Sequence, residues 1–309
     1  MKHKPYRYLF YLGLRLLQAV VLWMPREVAL ALARGIGGLA FFIARRERKR
    51  TLSHLSYAFG EEKKAEEIRE LGRKVFMHYA HVAADVLRFP RLTREAVDQL
   101  VEGHEGLSVF DRVLREGRGA ILLSAHLGNW ELMGAFLRFH GYPGALVGRR
   151  IYYEKFNQVL LDLRSKVTLK TLYQDASPRE FVRVLNQNQI LGILADQDVD
   201  RFDGIFVPFF GRPTYTLTTP VKLALATGAP LLPAFVIRSG KRYRFLVEEP
   251  IYVQMRMNKE ETIREYTERW SQVIEAKIRA YPDQWVWTHR RWKTQPPPAE
   301  VPQTVIQYD

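Results

Sequence analysis

Beyond residue 50, short apolar runs alternate with longer segments in which apolar residues recur at helical spacing. The short runs predict strands buried on both faces, and the longer segments predict helices. Strands separated in this way by helices are typical of an α/β fold with a mostly parallel central sheet and helices on both faces. The predicted strands lie near residue 100 and at residues 120–125, 144–149, 190–195, 230–237 and 243–249. The predicted helices cover residues 61–89, 130–140, 153–166, 177–188, 218–227 and 260–280.

Two nearly continuous apolar runs, at residues 9–24 and 28–44, occupy most of the first fifty positions. At a helical rise of ~1.5 Å per residue, the first run covers roughly 24 Å of the ~30 Å hydrocarbon core of a bilayer. Because Arg15 interrupts this run and no small-residue cleavage site follows it, the pattern favours an uncleaved membrane-anchoring helix or helical hairpin over a signal peptide. The alternative is that both runs are ordinary core helices.

The charge of the chain is unbalanced, with 47 Lys and Arg against 33 Asp and Glu in 309 residues, a formal net charge of +14. Such a surplus favours an acidic partner, and nucleic acid, anionic lipid and an acidic carrier protein all qualify. The basic run at residues 45–50, RRERKR, suits the cytosolic headgroup region beside the predicted anchor. The absence of cysteine excludes a disulfide framework, a thiolate zinc site and a cysteine nucleophile.

The stretch AHLGNWE, residues 125–131, follows the predicted strand at 120–125 and carries candidate chemistry. His126 falls in the turn at the carboxyl end of the strand, where open α/β sheets bind ligands. Asn129 is a candidate cap for the next helix, and Glu131 lies in its first turn. The spacing predicts a hydrogen bond from one ring nitrogen of His126 to Glu131, which would fix the tautomer and leave the other nitrogen as a general base. The alternative is that His126 only closes a turn and Glu131 only decorates a helix start.

The same stretch resembles the signature of the lysophospholipid acyltransferase superfamily, a histidine followed after four residues by an acidic residue. Within that superfamily the chain looks like the Kdo-dependent lauroyl and myristoyl transferases of lipid A biosynthesis. The resemblance continues in family order through four further segments. They are VGRRIYYEKFNQVLLDLRSK (147–166), ILADQDVDRFDGIFVPFFGRPTYT (193–216), ALATGAPLLPAFVIR (224–238) and WVWTHRRWK (285–293).

The resemblance implies a membrane-associated enzyme that transfers an acyl chain from an acyl carrier protein or coenzyme A thioester to a hydroxyl of a lipid A precursor. His126 is then the base in a direct attack, Glu131 orients it, and no cofactor is needed beyond the thioester co-substrate. Ser124 does not lie in the G-x-S-x-G elbow of a serine nucleophile. Phosphatidylinositol mannosides and lysophospholipids remain alternative acceptors.

The resemblance also implies an organisation and a location. Residues 1–50 form the hydrophobic anchor with its basic run, and residues 51–293 form the acyltransferase catalytic domain. The Pro-rich residues 294–309 form a tail expected to be disordered. The anchor places the catalytic domain on the cytoplasmic face of the inner membrane, beside anionic lipid.

Several further residues are expected to bind substrate. Arg149, with Arg150 beside it, aligns with a family arginine suited to gripping a lipid phosphate or carboxylate. Asp196 and Gln197 are expected near the site, as is Asn129 at the start of the helix. Phe209 is a candidate for lining an acyl pocket, with simple core packing as the alternative.

No metal site is expected, because DQDVDRFDG (196–204) resembles a calcium loop only weakly and Val207 stands where the closing glutamate belongs. The mixture of tryptophan and basic residues in WVWTHRRWK suits a membrane interface or an acidic carrier surface. It also suits single-stranded nucleic acid, which is the rival function. The two apolar N-terminal runs argue against a nucleic-acid partner.

Overall fold

The computed structural model describes residues 5–151, 153–165 and 167–297. The helices are α1 (Pro5–Trp23), α2 (Arg26–Ile43), α3 (Arg45–Phe59), α4 (Ala65–Leu87), α5 (Arg94–Leu100), α6 (Leu107–Leu114), α7 (Trp130–Phe139), α8 (Glu154–Ser165), α9 (Pro178–Asn186), α10 (Thr219–Thr227) and α11 (Lys259–Ala280). Short 3₁₀ helices lie at Phe89–Arg91, His104–Gly106 and Pro282–Gln284. The strands are β1 (Val101–Glu102), β2 (Ala120–Ser124), β3 (Gly144–Gly148), β4 (Lys170–Tyr173), β5 (Ile190–Leu194), β6 (Gly204–Phe209), β7 (Arg212–Leu217), β8 (Leu231–Ser239) and β9 (Arg242–Val247).

The central sheet has seven strands in the order β1-β9-β8-β2-β5-β3-β4. Strands β8, β2, β5, β3 and β4 are mutually parallel, whereas β9 is antiparallel to β8 and β1 is parallel to β9. The predicted α/β class with a mostly parallel sheet is therefore confirmed. Because β2 and β5 are neighbours at the centre, their carboxyl ends meet at the middle of one sheet edge.

The two faces of the sheet are covered by different sets of helices. In β2, Ile121 and Leu123 face a core that includes residues of α3, α4, α9, α10 and α11. Ala120 and Leu122 face the opposite core, which includes residues of α5, α6 and α7. The alternation follows from the two-residue period of a strand, and burial on both faces explains why β2 is apolar from residue 120 to residue 123.

Several elements escaped the sequence pattern, namely helices α3, α5 and α6 and strands β4, β6 and β7. Strand β4 (KTLY) is a short edge strand with one buried residue, Leu172, so it lacks the apolar run that marks the inner strands. Strands β6 and β7 form a separate antiparallel hairpin that carries Pro208 and Pro213. Proline cannot donate to a ladder, so it weakens a strand prediction.

Helices α1 and α2 pack beside the domain and leave one apolar side uncovered. Val21 of α1 belongs to a hydrophobic cluster that includes Val159 and Leu163 of α8. The guanidinium of Arg26 binds both carboxylate oxygens of Asp85 in α4 at 2.9 Å. Their outer surface, here named the N-terminal apolar face, is solvent-exposed. It comprises Leu9, Leu12, Leu16, Val20 and Trp23 of α1 and Val28, Leu32, Ile36, Leu39 and Ile43 of α2.

A membrane-spanning anchor is not confirmed. Within the described residues no single helix is both long and apolar enough to cross a bilayer, whereas α2 and α3 meet the criterion jointly across a bend of 90°. The predicted tail falls mostly on residues 298–309, which lie outside the described residues. Of the part that is described, Thr294 hydrogen-bonds through its backbone N–H and its hydroxyl to Asp198.

Candidate active site

The candidate site is built where β2 and β5 end side by side. Ser124 pairs with Leu194 in parallel register, so the residues two positions further on, His126 and Asp196, emerge next to each other. The His126 ring Nδ1 lies 2.8 Å from Asp196 Oδ1, and the His126 backbone N–H donates to Asp196 Oδ2 at 2.9 Å. Two bonds from one residue to one carboxylate fix the orientation of the imidazole.

Asp196 is fully buried and ionised. Its Oδ2 also accepts a hydrogen bond of 2.7 Å from the indole N–H of Trp285. Burial by itself raises the pKa of Asp196, but the charge of a protonated His126 and the hydrogen bonds from His126 and Trp285 outweigh it, so the pKa lies well below its usual range. A buried carboxylate with three donors holds Nδ1–H of His126 and leaves Nε2 with the lone pair.

The loop that carries His126 is held from both sides. The His126 carbonyl accepts from the Val286 N–H at 3.1 Å, and the Asn129 N–H donates to the Val236 carbonyl at 2.8 Å. Gly128 adopts a φ of +63°, and an added Cβ would lie 2.0 Å from the Val236 oxygen. Only glycine fits this close approach in a left-handed conformation. The loop therefore presents His126 with little freedom.

Gln197 and His289 complete the group around the imidazole. The Gln197 amide nitrogen is nearly equidistant from the two ring nitrogens of His126, at 3.4 and 3.2 Å, and from those of His289, at 3.2 and 3.3 Å. A group on the in-plane lone-pair axis of Nε2 would lie much further from Nδ1, so Gln197 does not block that axis. Burial, and then the charge of His126, lowers the pKa of His289 to about 4, which makes this ring neutral at neutral pH.

Glu131 has a different partner from the one the sequence predicts. It lies in the first turn of α7, but its carboxylate forms a bidentate ion pair with Arg164 of α8, with Arg164 Nε 2.8 Å from Oε2. No hydrogen bond joins His126 to Glu131 in the described structure. The predicted His126–Glu131 hydrogen bond is therefore wrong, because the guanidinium of Arg164 binds the carboxylate instead. The role of Glu131 in catalysis stays a prediction.

Arg149 and Arg150 follow β3 directly, at the same sheet edge as His126. Both side chains are exposed. The Arg150 guanidinium lies 4.5 Å from the ring centroid of Tyr173, a cation–π contact. The strand order thus brings the two predicted arginines to the edge that carries the site, since β3 neighbours β5.

Comparisons with known proteins show the family of the chain. The sequence profile of the family described as bacterial lipid A biosynthesis acyltransferase matches residues 2–294. The chain belongs to this family. It is 26% identical over 306 residues to the lipid A biosynthesis lauroyltransferase of Escherichia coli K12, covering 94% of each protein. It is 24% identical over 291 residues to the myristoyltransferase of the same strain, covering 93% of this chain and 87% of that protein.

A second group of relatives is named after a different acceptor. The chain is 32% identical over 174 residues to the phosphatidylinositol mannoside acyltransferase of Mycobacterium tuberculosis H37Rv. That match covers 55% of this chain and 55% of the relative, so it spans about half the length of that protein. The relatives of this chain therefore carry two kinds of acceptor in their names.

Three of the predicted substrate-binding residues are buried in this family member: Asp196, described above, Asn129 and Phe209. Asn129 has no exposed surface, and its Oδ1 caps α7 by accepting from the Leu132 N–H at 3.1 Å. The predicted cap is confirmed, and the burial does not favour direct contact with substrate. Phe209 is 1% exposed and packs among Phe210, Trp285 and Trp292, which favours the core alternative.

The C-terminal segment is part of the core and of the site. Trp285 and Trp287 are fully buried, and Arg291 donates to the Tyr215 carbonyl and to Thr216 Oγ1. The prediction that this segment forms a membrane or carrier surface is therefore wrong for these residues. Sequence reasoning missed Trp285 and His289, because a mixed aromatic and basic segment looks the same whether it faces outward or inward.

His126, Asp196 and His289 each place one ligand atom within 4.8 Å of the others, so these residues also form a set that could hold a metal ion. However, both oxygens of Asp196 already accept well-formed hydrogen bonds. Because the hydrogen-bonding capacity of this carboxylate is already used, the arrangement favours proton transfer over metal coordination.

Proposed function

We propose that the protein is an O-acyltransferase that moves an acyl chain from a thioester donor to a hydroxyl of a lipid acceptor, with His126 as the general base. The observation that carries the proposal is the 2.8 Å contact between His126 Nδ1 and the buried Asp196. It supports an imidazole that donates its Nδ1 proton to the carboxylate, so that Nε2 is the nitrogen that accepts the proton of the acceptor. The His126 side chain is 19% exposed, so the imidazole is partly accessible at the sheet edge.

The proposed reaction is a single displacement through a tetrahedral intermediate. The acceptor hydroxyl gives its proton to His126 Nε2 while its oxygen bonds to the thioester carbonyl carbon. The carbon–sulfur bond then breaks, the acyl chain stays on the acceptor as an ester, and the leaving thiolate takes the proton from His126. Asp196 stabilises the imidazolium that exists between the two transfers.

Basic side chains near the base support an anionic acceptor. Arg149 and Arg150 are exposed at the carboxyl end of β3, where a guanidinium can bind phosphate in bidentate fashion. Arg164 is held by Glu131 beside the same edge. In this proposal Glu131 positions Arg164 rather than His126.

The N-terminal apolar face supports action at a membrane surface. The ten large apolar side chains of this face are exposed, whereas soluble proteins rarely expose large contiguous apolar patches. Helix α1 packs against α8, and α8 carries Arg164. Seating α1 and α2 in the headgroup region of the cytoplasmic leaflet therefore brings α8 close to lipids. The basic run RRERKR lies at the start of α3, next to this face.

For the acceptor we propose a lipid A precursor, because the match to the lauroyltransferase spans 94% of both chains. The second candidate is a phosphatidylinositol mannoside, which the higher identity of 32% over 174 residues favours. Either an acyl carrier protein or coenzyme A serves as donor, since both are acidic and the chain carries a net charge of +14.

The test is mass spectrometry of lipids from cells with and without the gene, combined with assays of the purified chain on vesicles. Loss of one secondary acyl chain from lipid A, restored by the wild-type gene and not by a His126→Ala gene, is the expected result. Unchanged lipid A with a mannoside lacking one acyl chain would transfer the assignment to the second candidate. Restoration by the His126→Ala gene would refute the mechanism.

A further inference from the structure

A second group of two histidines and one aspartate lies at the other end of α7 from Glu131. Asp98 belongs to α5, His104 to the 3₁₀ helix that follows β1, and His140 is the residue at the C-terminal end of α7. Nine residues of helix separate Glu131 from His140, a distance of about 14 Å. The proposed acyl transfer uses none of the three.

Backbone carbonyls fix the ring nitrogens of both histidines. His140 Nδ1 lies 2.8 Å from the Phe136 carbonyl oxygen, and His104 Nε2 lies 2.6 Å from the Val101 carbonyl oxygen. A carbonyl can only accept, so each of these nitrogens carries the proton and donates it. The other nitrogen of each ring, His140 Nε2 and His104 Nδ1, keeps its lone pair. Metal-binding histidines are commonly oriented in this way.

The carboxylate of Asp98 lies beside one of these nitrogens, His140 Nε2. Asp98 Oδ1 lies 3.1 Å from His140 Nε2, yet this buried oxygen has no hydrogen-bond partner among the described residues, because the geometry of the pair is not that of a hydrogen bond. A proton on Nε2 would therefore not point at Oδ1. The nearest cation to the other oxygen is Arg94, whose Nε lies 3.8 Å from Oδ2.

We propose that Asp98, His104 and His140 bind a divalent transition-metal ion, for which zinc is the natural probe. One ligand atom from each residue lies within 4.8 Å of the others. Two ligands about 2.1 Å from a tetrahedral ion lie about 3.4 Å apart, close to the observed separation of His140 Nε2 and Asp98 Oδ1. Water completes the coordination, since Asp98 is partly exposed. The ion ties α5 and the segment after β1 to the end of α7.

The test is calorimetric titration of Zn²⁺ into the full-length, tag-free chain after removal of metal with a chelator. The wild type is expected to bind one equivalent that Asp98→Asn and His140→Asn each weaken at least about 100-fold, as expected when one of three ligands is lost. Thermal unfolding provides a second readout, because zinc should raise the Tm of the wild type and not that of either variant.

The matched control is Asp196→Asn, which removes the carboxylate of the other histidine–aspartate set and should leave this equivalent unchanged. Circular dichroism establishes whether each variant is folded. If one of the two ligand variants misfolds, the other still tests the proposal. Equal zinc affinity in the wild type, Asp98→Asn and His140→Asn would overturn the proposal. So would an equivalent that is lost only in Asp196→Asn, because it would place zinc at His126 and His289.

Discussion

The carboxyl edge of the sheet and the N-terminal apolar face depart from an ordinary protein in opposite ways. At the sheet edge a carboxylate, Asp196, is fully buried among His126, His289 and Trp285. On α1 and α2, leucine, isoleucine and tryptophan side chains are exposed, and Trp23 is 84% exposed. Buried charge and exposed apolar surface both cost free energy in the isolated protein, so each is informative about function.

The contrast separates two tasks. The buried network sets the tautomer of one imidazole, which the proposed proton transfer requires. The exposed face lies on helices that join the domain through α4 and α8. This arrangement suits attachment of the domain to a membrane surface. Substitutions at the edge should therefore change turnover without changing vesicle binding, and substitutions on the face should do the reverse.

The largest effect is expected for His126→Ala. A positioned general base contributes about 10² to 10⁴ in rate, so kcat should fall by that factor while co-sedimentation with anionic vesicles stays the same. The matched control is Ser124→Ala, two residues earlier in β2, whose hydroxyl donates to the Ala234 carbonyl. It should retain turnover. Loss of activity in Ser124→Ala alone would indicate a serine nucleophile instead.

A somewhat smaller loss is expected for Asp196→Asn. The amide keeps the size of the side chain but removes the charge that stabilises a protonated His126, so kcat should fall about 10²-fold, within the range for general acid–base catalysis. Trp285→Phe removes one donor to the same carboxylate and should have a milder effect in the same direction. Steady-state kinetics at saturating acceptor measures both. A wild-type kcat in Asp196→Asn would contradict this role and would favour Glu131 as the residue that orients the His126 imidazole.

On the opposite region, Leu16→Glu or Ile36→Glu should weaken vesicle binding about tenfold or more. Each removes an apolar side chain whose burial in lipid is worth about 1.5–3 kcal/mol and adds a charge. Turnover of acceptor dissolved in detergent should not change. Met257→Glu, an exposed apolar position outside α1 and α2, is the control. Equal vesicle binding by all three variants would remove the N-terminal apolar face from membrane association.

The ion pair between Glu131 and Arg164 tests how the edge recognises its acceptor. If Glu131 positions Arg164, then Glu131→Gln and Arg164→Gln should each raise KM for the acceptor roughly tenfold, the lower end for loss of a charged hydrogen bond. The double variant should be little worse than either single one, because contacting residues are not additive. A fall in kcat at constant KM in Glu131→Gln would contradict this role and support the predicted one.

The residues of the site that sequence could predict are those fixed by local rules. His126 follows an apolar strand and Asn129 caps the next helix, and both facts depend on neighbours along the chain. The pairing of His126 with Asp196 instead depends on the register between β2 and β5. The two paired residues are 70 positions apart in the sequence. A partial signal existed, since ILLSAH and LGILAD both place a polar residue directly after a buried strand. The Glu131 partner depends on how α8 packs, which no local pattern encodes.

The last expected effect is the pH dependence of stability, to which the sheet edge should make a defined contribution. His78 of α4 lies beneath the His126 loop, donating from Nε2 to the Gly128 carbonyl and accepting from Arg238 Nε at Nδ1. Burial, with the charge of Arg238, lowers the pKa of His78 to about 3. The unfolded chain takes up this proton below about pH 6.5 and the folded chain does not, so stability is complete above pH 6.5 and falls as the pH is lowered.

For His78 alone the expected loss between pH 7 and pH 5 is about 2 kcal/mol of unfolding free energy. Denaturant unfolding at the two pH values should show a smaller loss in His78→Gln, which cannot titrate, and the wild-type loss in Leu16→Glu. The depressed pKa of Asp196 acts only below its ordinary value near 4 and does not overlap this window. An unchanged loss in His78→Gln would mean that the acid-sensitive groups lie elsewhere. An altered loss in Leu16→Glu would mean that the two regions are energetically coupled, because that substitution touches no residue of the edge.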